Sequence, residues 1–128
     1  MATTQIIPYL FYRDVPEALA WLASAFGFVE TRRVPTPSGF HAEMTLDGRS
    51  IMMGQGARDW RMVPPIDAGA ATQGVFVYLA DVDGHFARAK AAGARIDKPP
   101  EDLDYGRSYT AYDLDGHPWF FTTPPVAA

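Results

Sequence analysis

The sequence predicts an α+β fold built from two tandem βαβββ units. Three observations predict it. The stretches Asp47-Gly48-Arg49-Ser50-Ile51-Met52-Met53 and Asp115-Gly116-His117-Pro118-Trp119-Phe120-Phe121 repeat one pattern, an Asp-Gly pair followed by a short apolar run, 68 positions apart (47 to 115). A helix-like run opens at Tyr12-Arg13-Asp14-Val15 and ends at Gly27, and a second opens at Leu79-Ala80-Asp81-Val82 and ends at Gly93, at offsets of 67 (14 to 81) and 66 (27 to 93). Asp-Gly between two strand-like runs favours a two-residue hairpin turn, because both central residues need φ > 0. Self-similarity at a fixed period marks a duplicated unit.

Each element has a local reason. Gln5 to Tyr12 is rich in β-branched and aromatic residues and reads as a strand. Pro8 cannot donate to a ladder, which puts this strand at an edge or a bulge. Asp14 suits the N-cap of the following helix, with Pro16 and Glu17 in its first turn. Ala18, Trp21, Leu22, Ala25 and Phe26 share one face, and Gly27 suits the left-handed position that ends a helix. Phe28–Val34, Phe40–Leu46 and Arg49–Gly54 complete the first unit as strands, with a turn-rich loop from Pro35 to Gly39. In the second unit Gly74–Ala80 is a strand and Asp81 caps a helix. Arg95–Lys98 is a short strand, Pro99–Asp104 a loop, and Arg107–Asp113 with His117–Thr123 a closing hairpin. The expected organisation is one domain over 1–128: a first unit at 5–54, a connecting segment at 55–73 and a second unit at 74–123. Met1 to Thr4 and Pro124 to Ala128 are expected to be loose ends.

The totals exclude several classes. A chain of 128 residues, 48% hydrophobic and 20% charged, buries a core without covalent staples, and it has no cysteine for a disulfide, a thiolate ligand or a nucleophile. A net charge of −4 argues against nucleic acid, which needs a basic footprint. There is no apolar run of about 18 residues to span a membrane. No charged-then-apolar leader is visible, so the expected location is cytoplasmic.

The segments Ile7-Pro8-Tyr9-Leu10-Phe11-Tyr12-Arg13-Asp14-Val15, His41-Ala42-Glu43, Ala89-Lys90-Ala91-Ala92-Gly93-Ala94 and Tyr105-Gly106-Arg107, set in this duplicated frame, resemble the vicinal oxygen chelate superfamily. The nearest likeness is to its glyoxalase/bleomycin resistance protein-like members, over about residues 5 to 123. The resemblance implies curved mixed sheets forming a cleft, with helices outside. It also implies a homodimer in which each cleft draws on both chains.

Enzymes of that superfamily hold a divalent metal with His, Gln or Glu, one ligand from the first strand and one from the last strand of each unit. The corresponding positions here are Ile7, Met52, Gly74 and Phe120, and their neighbours Pro8, Met53, Val75 and Phe121 are equally unsuited as donors. The expectation is therefore no metal and no other cofactor.

Strand alternation sorts the faces. Pairing across Asp47-Gly48 sets Thr45 opposite Ser50, Glu43 opposite Met52 and His41 opposite Gly54, and paired residues share a face. The same turn at Asp115-Gly116 would set Ala111 opposite Phe120 and Tyr109 opposite Thr122, with Arg107 further along that face. The expected ligand-binding wall is thus Tyr9, Phe11, His41, Glu43, Met52, Phe76, Tyr78, Arg107, Tyr109 and Phe120, with Trp60 of the connecting segment either covering it or packing over core. Such a wall, apolar with a few polar points, suits a small molecule, and its rings could stack a flat ligand or hold a cation. Two readings stay open for each polar point. Glu43 either binds a ligand or pairs with Arg107. His41, with Glu43 beside it, is a weak candidate general base or a hydrogen-bonded strand residue. His85 is expected in an exposed or half-buried surface role on the second helix, and His117 to fix the hairpin. The function expected is capture of a small organic molecule, an antibiotic among the options, without metal. The alternative is a metal-dependent lyase or dioxygenase with atypical ligands.

Overall fold

The structure is a computed structural model that describes residues 2–125; the loose-end expectation for Met1 and for 126–128 lies outside the described residues. The first unit comprises β1 (Tyr9–Tyr12), α1 (Val15–Phe26), β2 (Val29–Thr36), β3 (Gly39–Leu46) and β4 (Arg49–Gln55). A 3-10 turn (Arg58–Trp60) and the short helix α2 (Pro65–Ala68) follow. The second unit is β5 (Val75–Tyr78), α3 (Val82–Ala91), β6 (Arg95–Leu103), β7 (Gly106–Tyr112) and β8 (Pro118–Thr122). Each unit folds into a four-stranded mixed sheet of the same order, β1-β4-β3-β2 and β5-β8-β7-β6. The first strand of each runs parallel to the last (β1 with β4, β5 with β8), and the remaining pairs are antiparallel.

The helix ends follow their capping residues. Asp14 accepts the amide of Glu17 at 3.0 Å and Asp81 that of Gly84 at 2.9 Å. Gly27 turns the chain out of α1 at φ 80°. One face of α1 (Ala18, Leu19, Leu22, Ala25, Phe26) is buried, against a sheet face carrying Leu10, Tyr12, Ala42, Met44, Ile51 and Met53. The core runs through both units. Trp119 of β8 packs against Phe26 and Phe28 at centroid distances of 5.4 and 5.5 Å, and Phe121 meets Phe26 at 4.9 Å.

Two polar latches join the halves. In the first, α3 caps the C-terminus of α1: the Arg88 guanidinium donates to the carbonyls of Ser24 (3.0 Å) and Ala23 (2.8 Å). These are carbonyls that a helix end leaves without intrahelical partners. His85 donates from Nε2 to the carbonyl of Phe26 at 2.9 Å, so its Nδ1 accepts the hydroxyl of Tyr109. In the second latch Asp113 accepts four donors: the hydroxyl of Tyr12 (2.7 Å), the indole N–H of Trp119 (3.0 Å), and the amides of Asp115 (3.1 Å) and His117 (3.0 Å). Beside it Asp115 accepts the amide of Arg13 at 2.8 Å, and His117 reaches the carbonyl of Phe11 at 2.8 Å. The connecting segment is tied to the same place, since the amide of Ile66 donates to Asp115 and Asp67 pairs with Arg13.

Three local expectations are corrected. The first strand begins only at Tyr9, although Pro8 still accepts the amide of Met52. The strand at Arg95 continues through Pro99-Pro100 to Leu103, because β6 is an edge strand whose register shifts between Lys98 and Glu101 absorb the missing donors. The third concerns the Asp-Gly pairs. Asp47-Gly48 is a two-residue turn with φ of 49° and 77°. Asp115-Gly116 instead lies in a five-residue loop, 113–117, closed by the pairing of Tyr112 with Pro118. The carboxylate of Asp113 organises that loop, and its odd length shifts the register by one residue. Thr110 pairs with Phe120 and Ser108 with Thr122, while Tyr109 pairs with Phe121 and Ala111 with Trp119. Tyr109 and Ala111 are therefore core residues.

Burial lowers the pKa of His85, since its charged form is poorly solvated between the helices. The unfolded chain then takes up the proton first as pH falls. The stability this group contributes is present above its unfolded value of about 6.5 and is lost progressively as pH drops through the lower folded value. Urea midpoints measured from about pH 7.5 down to about pH 5 should fall more steeply for wild type than for His85→Phe. Parallel slopes would place the pH sensitivity elsewhere.

Among the described residues no helix is long and apolar enough to cross a membrane.

Candidate functional site

The residues that alternate with the core on each sheet form two outward faces. On the first sheet Tyr9, Met52 and Glu43 lie side by side on β1, β4 and β3, and Phe11, Gly54 and His41 form the next row. On the second, Phe76, Phe120 and Thr110 make one row and Tyr78, Thr122 and Ser108 the next, the last two buried and joined at 2.9 Å through their hydroxyls. Phe76 is 50% and Tyr78 58% exposed, high values for rings in strands.

A glycine shapes each face. A Cβ at Gly54 would meet the Tyr9 hydroxyl at 2.6 Å, and one at Gly74 would meet the Phe120 ring at 2.6 Å. A glycine within a strand, as Gly54 in β4, or just before one, as Gly74 ahead of β5, permits such an approach, so a ring can lie down on the neighbouring backbone. Tyr9 then packs on Phe11 (5.3 Å between centroids) and stacks on His41 (5.6 Å, 24° between planes). Phe76 packs on Tyr78 (5.2 Å) and stacks on Phe120 (6.4 Å, 23°). Among the described residues no ring of one face stacks on a ring of the other. A cleft of about 1030 Å³ lies between the units along the edge strand β5, lined by Ile7, Pro8, Ser50 and Ile51 on one side and by Val75, Phe76, Tyr78 and Trp119 on the other.

The polar centre of the first face is a chain of three side chains. Glu43 Oε2 lies 3.0 Å from His41 Nε2, and His41 Nδ1 lies 2.9 Å from the Tyr9 hydroxyl. An ionised carboxylate only accepts, so in the neutral ring Nε2 carries the proton and Nδ1 accepts the Tyr9 O–H. Burial, and then the nearby Glu43 charge, raise the Tyr9 pKa, which keeps the phenol protonated at neutral pH.

The structure thus brings Tyr9, Phe11, His41, Glu43 and Met52 to one face and Phe76, Tyr78 and Phe120 to the other. It does not bring three expected wall residues to either. Tyr109 is in the core by the register shift. Arg107 points toward the helix side and bonds Asp83 of α3 at 3.0 Å and Asp102 of β6 at 3.1 Å, so the expected Glu43–Arg107 pair does not form. Trp60 is 55% exposed on its 3-10 turn and lines no part of the cleft. Gly54 stands where alternation placed it, opposite His41. Sequence reasoning missed Thr110, because the two-residue turn it assumed set Ala111 opposite Phe120 instead.

The donor set does not fit a divalent metal. Ile7, Met52, Gly74 and Phe120 offer two hydrocarbon side chains, a thioether and no side chain at all. Among the described residues no three His, Asp or Glu side chains gather as a metal site would require. His41 and Glu43 are committed to each other.

Residues 4–121 match the family model of the Glyoxalase/Bleomycin resistance protein/Dioxygenase superfamily. The chain belongs to this superfamily. An uncharacterized protein of Mycobacterium bovis is 30% identical over 123 residues, spanning 91% of this chain and 81% of that protein. Among solved superfamily-like structures, TioX from Micromonospora sp. ML1 is 34% identical with a TM-score of 0.75, covering 98% of this chain and 99% of that one. TnmS3, described as an antibiotic binding protein from Streptomyces sp. CB03234, has a TM-score of 0.79 at 20% identity, over 97% and 98% of the two chains. The fosfomycin resistance protein FosX of Listeria monocytogenes, solved with Mn(II), has a TM-score of 0.73 at 20% identity, over 98% and 94%. At 20% identity the last two share the superfamily fold and nothing further is carried from them.

Proposed function

We propose that this chain captures a small planar organic molecule, with antibiotics among the candidates, on its aromatic sheet faces and without a metal ion. The single observation behind this is the pair of rings laid over glycine backbone, Tyr9 over Gly54 and Phe120 over Gly74, with Tyr9 beside Met52, so that rings and not donors occupy these faces. Flat, half-exposed rings offer stacking surface at little conformational cost. The working form is a homodimer. Phe76, Tyr78 and Tyr9 leave two apolar faces open on one chain, and a second copy would close each face into a pocket.

A thermal-shift screen with antibiotics, planar metabolites and divalent metals tests this. A ligand selective for the folded state stabilises by mass action, about 2.7 kcal/mol at a hundredfold excess over Kd. The expected hit is a planar compound whose shift persists in chelator and disappears in the Phe76→Ala/Phe120→Ala double variant. Stoichiometric metal in the purified protein, with turnover that chelator abolishes, would favour the metal-dependent enzyme instead.

A further inference from the structure

The geometry points to a ligand class: a planar aromatic molecule bearing a hydroxyl or N–H donor at its edge, read by the Tyr9 oxygen at the end of the Glu43–His41–Tyr9 chain. This rests on the capture reading above and narrows it. Glu43 fixes the His41 proton on Nε2, and the bare Nδ1 takes the Tyr9 proton. With its own hydrogen turned inward to His41, the Tyr9 oxygen, on a ring that is 40% exposed, presents only lone pairs outward from the sheet face. All bonds of the chain run in one direction and end on a carboxylate. Each link polarises the next, so the outer oxygen becomes a stronger acceptor than an isolated phenol. The His41 ring stacked on Tyr9 and the phenyl of Phe11 form the floor on which the ligand ring lies. A donor at the ligand's edge completes the chain, whereas an ether or carbonyl there faces lone pairs with lone pairs. Sites built to meet a donor discriminate against analogues that lack one, because a buried polar group is then left unpaired.

In this arrangement Tyr9 is the contacting residue, and His41 and Glu43 are positioning residues that act through it. Gly54 is part of the device, since any side chain there would displace the phenol.

The test uses 2-naphthol and 2-methoxynaphthalene, which share a ring system and differ in the donor, titrated calorimetrically against the full chain at neutral pH. Wild type should bind the naphthol about tenfold more tightly than the ether, Tyr9→Phe should bind the two equally, and Glu43→Gln should retain only part of the preference. The preference is the readout because a merely structural loss would weaken both compounds alike. Equal binding of both by wild type, or a preference untouched in Tyr9→Phe, overturns the ligand class and leaves capture by stacking in place. Binding of neither compound overturns both readings.

Discussion

Asp113→Ala is expected to lower the stability of the fold by about 4–6 kcal/mol, measured from urea or guanidinium unfolding. The side chain of Asp113 is the common acceptor for Tyr12, Trp119 and the amides of Asp115 and His117. Both rings are completely buried, and the Tyr12 phenol is so well enclosed beside this carboxylate that its pKa is raised well above the usual range, first by burial and then by Asp113. Removing the acceptor leaves four donors unmet, each costing about 1–3 kcal/mol when no water replaces the partner. A loss of that size is a large share of the roughly 5–15 kcal/mol that holds a domain together. Asp113→Asn separates charge from geometry. Its carbonyl oxygen still serves the two loop amides, but its amide nitrogen then faces Tyr12 and Trp119. Tyr12 can reverse its hydroxyl and accept, whereas the Trp119 indole has no acceptor to offer, so about 2 kcal/mol should be lost. If Asp113→Ala costs less than about 1 kcal/mol, water must occupy the hole and the latch does not hold the halves together.

The same residue explains where the sequence stopped being legible. Asp14, Asp81 and Gly27 signal their helix ends by local chemistry, and the structure places them as caps. The Asp47-Gly48 turn is equally local, so the faces of β3 and β4, with His41 and Glu43 outward, follow from alternation alone. The second Asp-Gly pair has the same two letters but answers to a carboxylate two positions earlier, which in turn answers to Tyr12, 101 positions away in sequence. No window around residue 115 contains that partner. The local hints were Asp113 itself, whose side chain can accept amides further along its own loop, and Pro118, where β8 begins. A one-residue slip then exchanged the wall and the core along β7. The glycines tell a related story. Gly54 and Gly74 announce a close approach, but only the folded sheets show that Tyr9 and Phe120 make it. Likewise, alternation places His41 and Glu43 on one face, while the alignment of their bonds with the Tyr9 phenol depends on the parallel register of β1 against β4.

Tyr109→Ala discriminates between the two registers of β7 and carries the second large effect. In the alternation expected from a two-residue turn, Tyr109 stands on an open wall, and its truncation would change stability by no more than about 0.5 kcal/mol. In the structure it is 1% exposed, stacks on Phe121 (5.0 Å, 22°), meets the edge of Phe86 (5.4 Å) and donates to His85. Burial alone drives its pKa upward, as befits a phenol enclosed by rings. Tyr109→Ala should therefore cost about 3–5 kcal/mol, the usual range for deleting a buried aromatic side chain. Tyr109→Phe keeps the packing and removes the bond to His85, which should cost about 1 kcal/mol. It should also change the pH dependence described for His85, since Nδ1 then has no donor to satisfy it and protonation leaves fewer contacts to break. Ligand capture on the outward faces should survive Tyr109→Phe unchanged, because the ring lies on the opposite side of the sheet from Phe76 and Phe120. Lost binding in a stable Tyr109→Phe variant would return Tyr109 to the wall and with it the shorter turn at Asp115-Gly116.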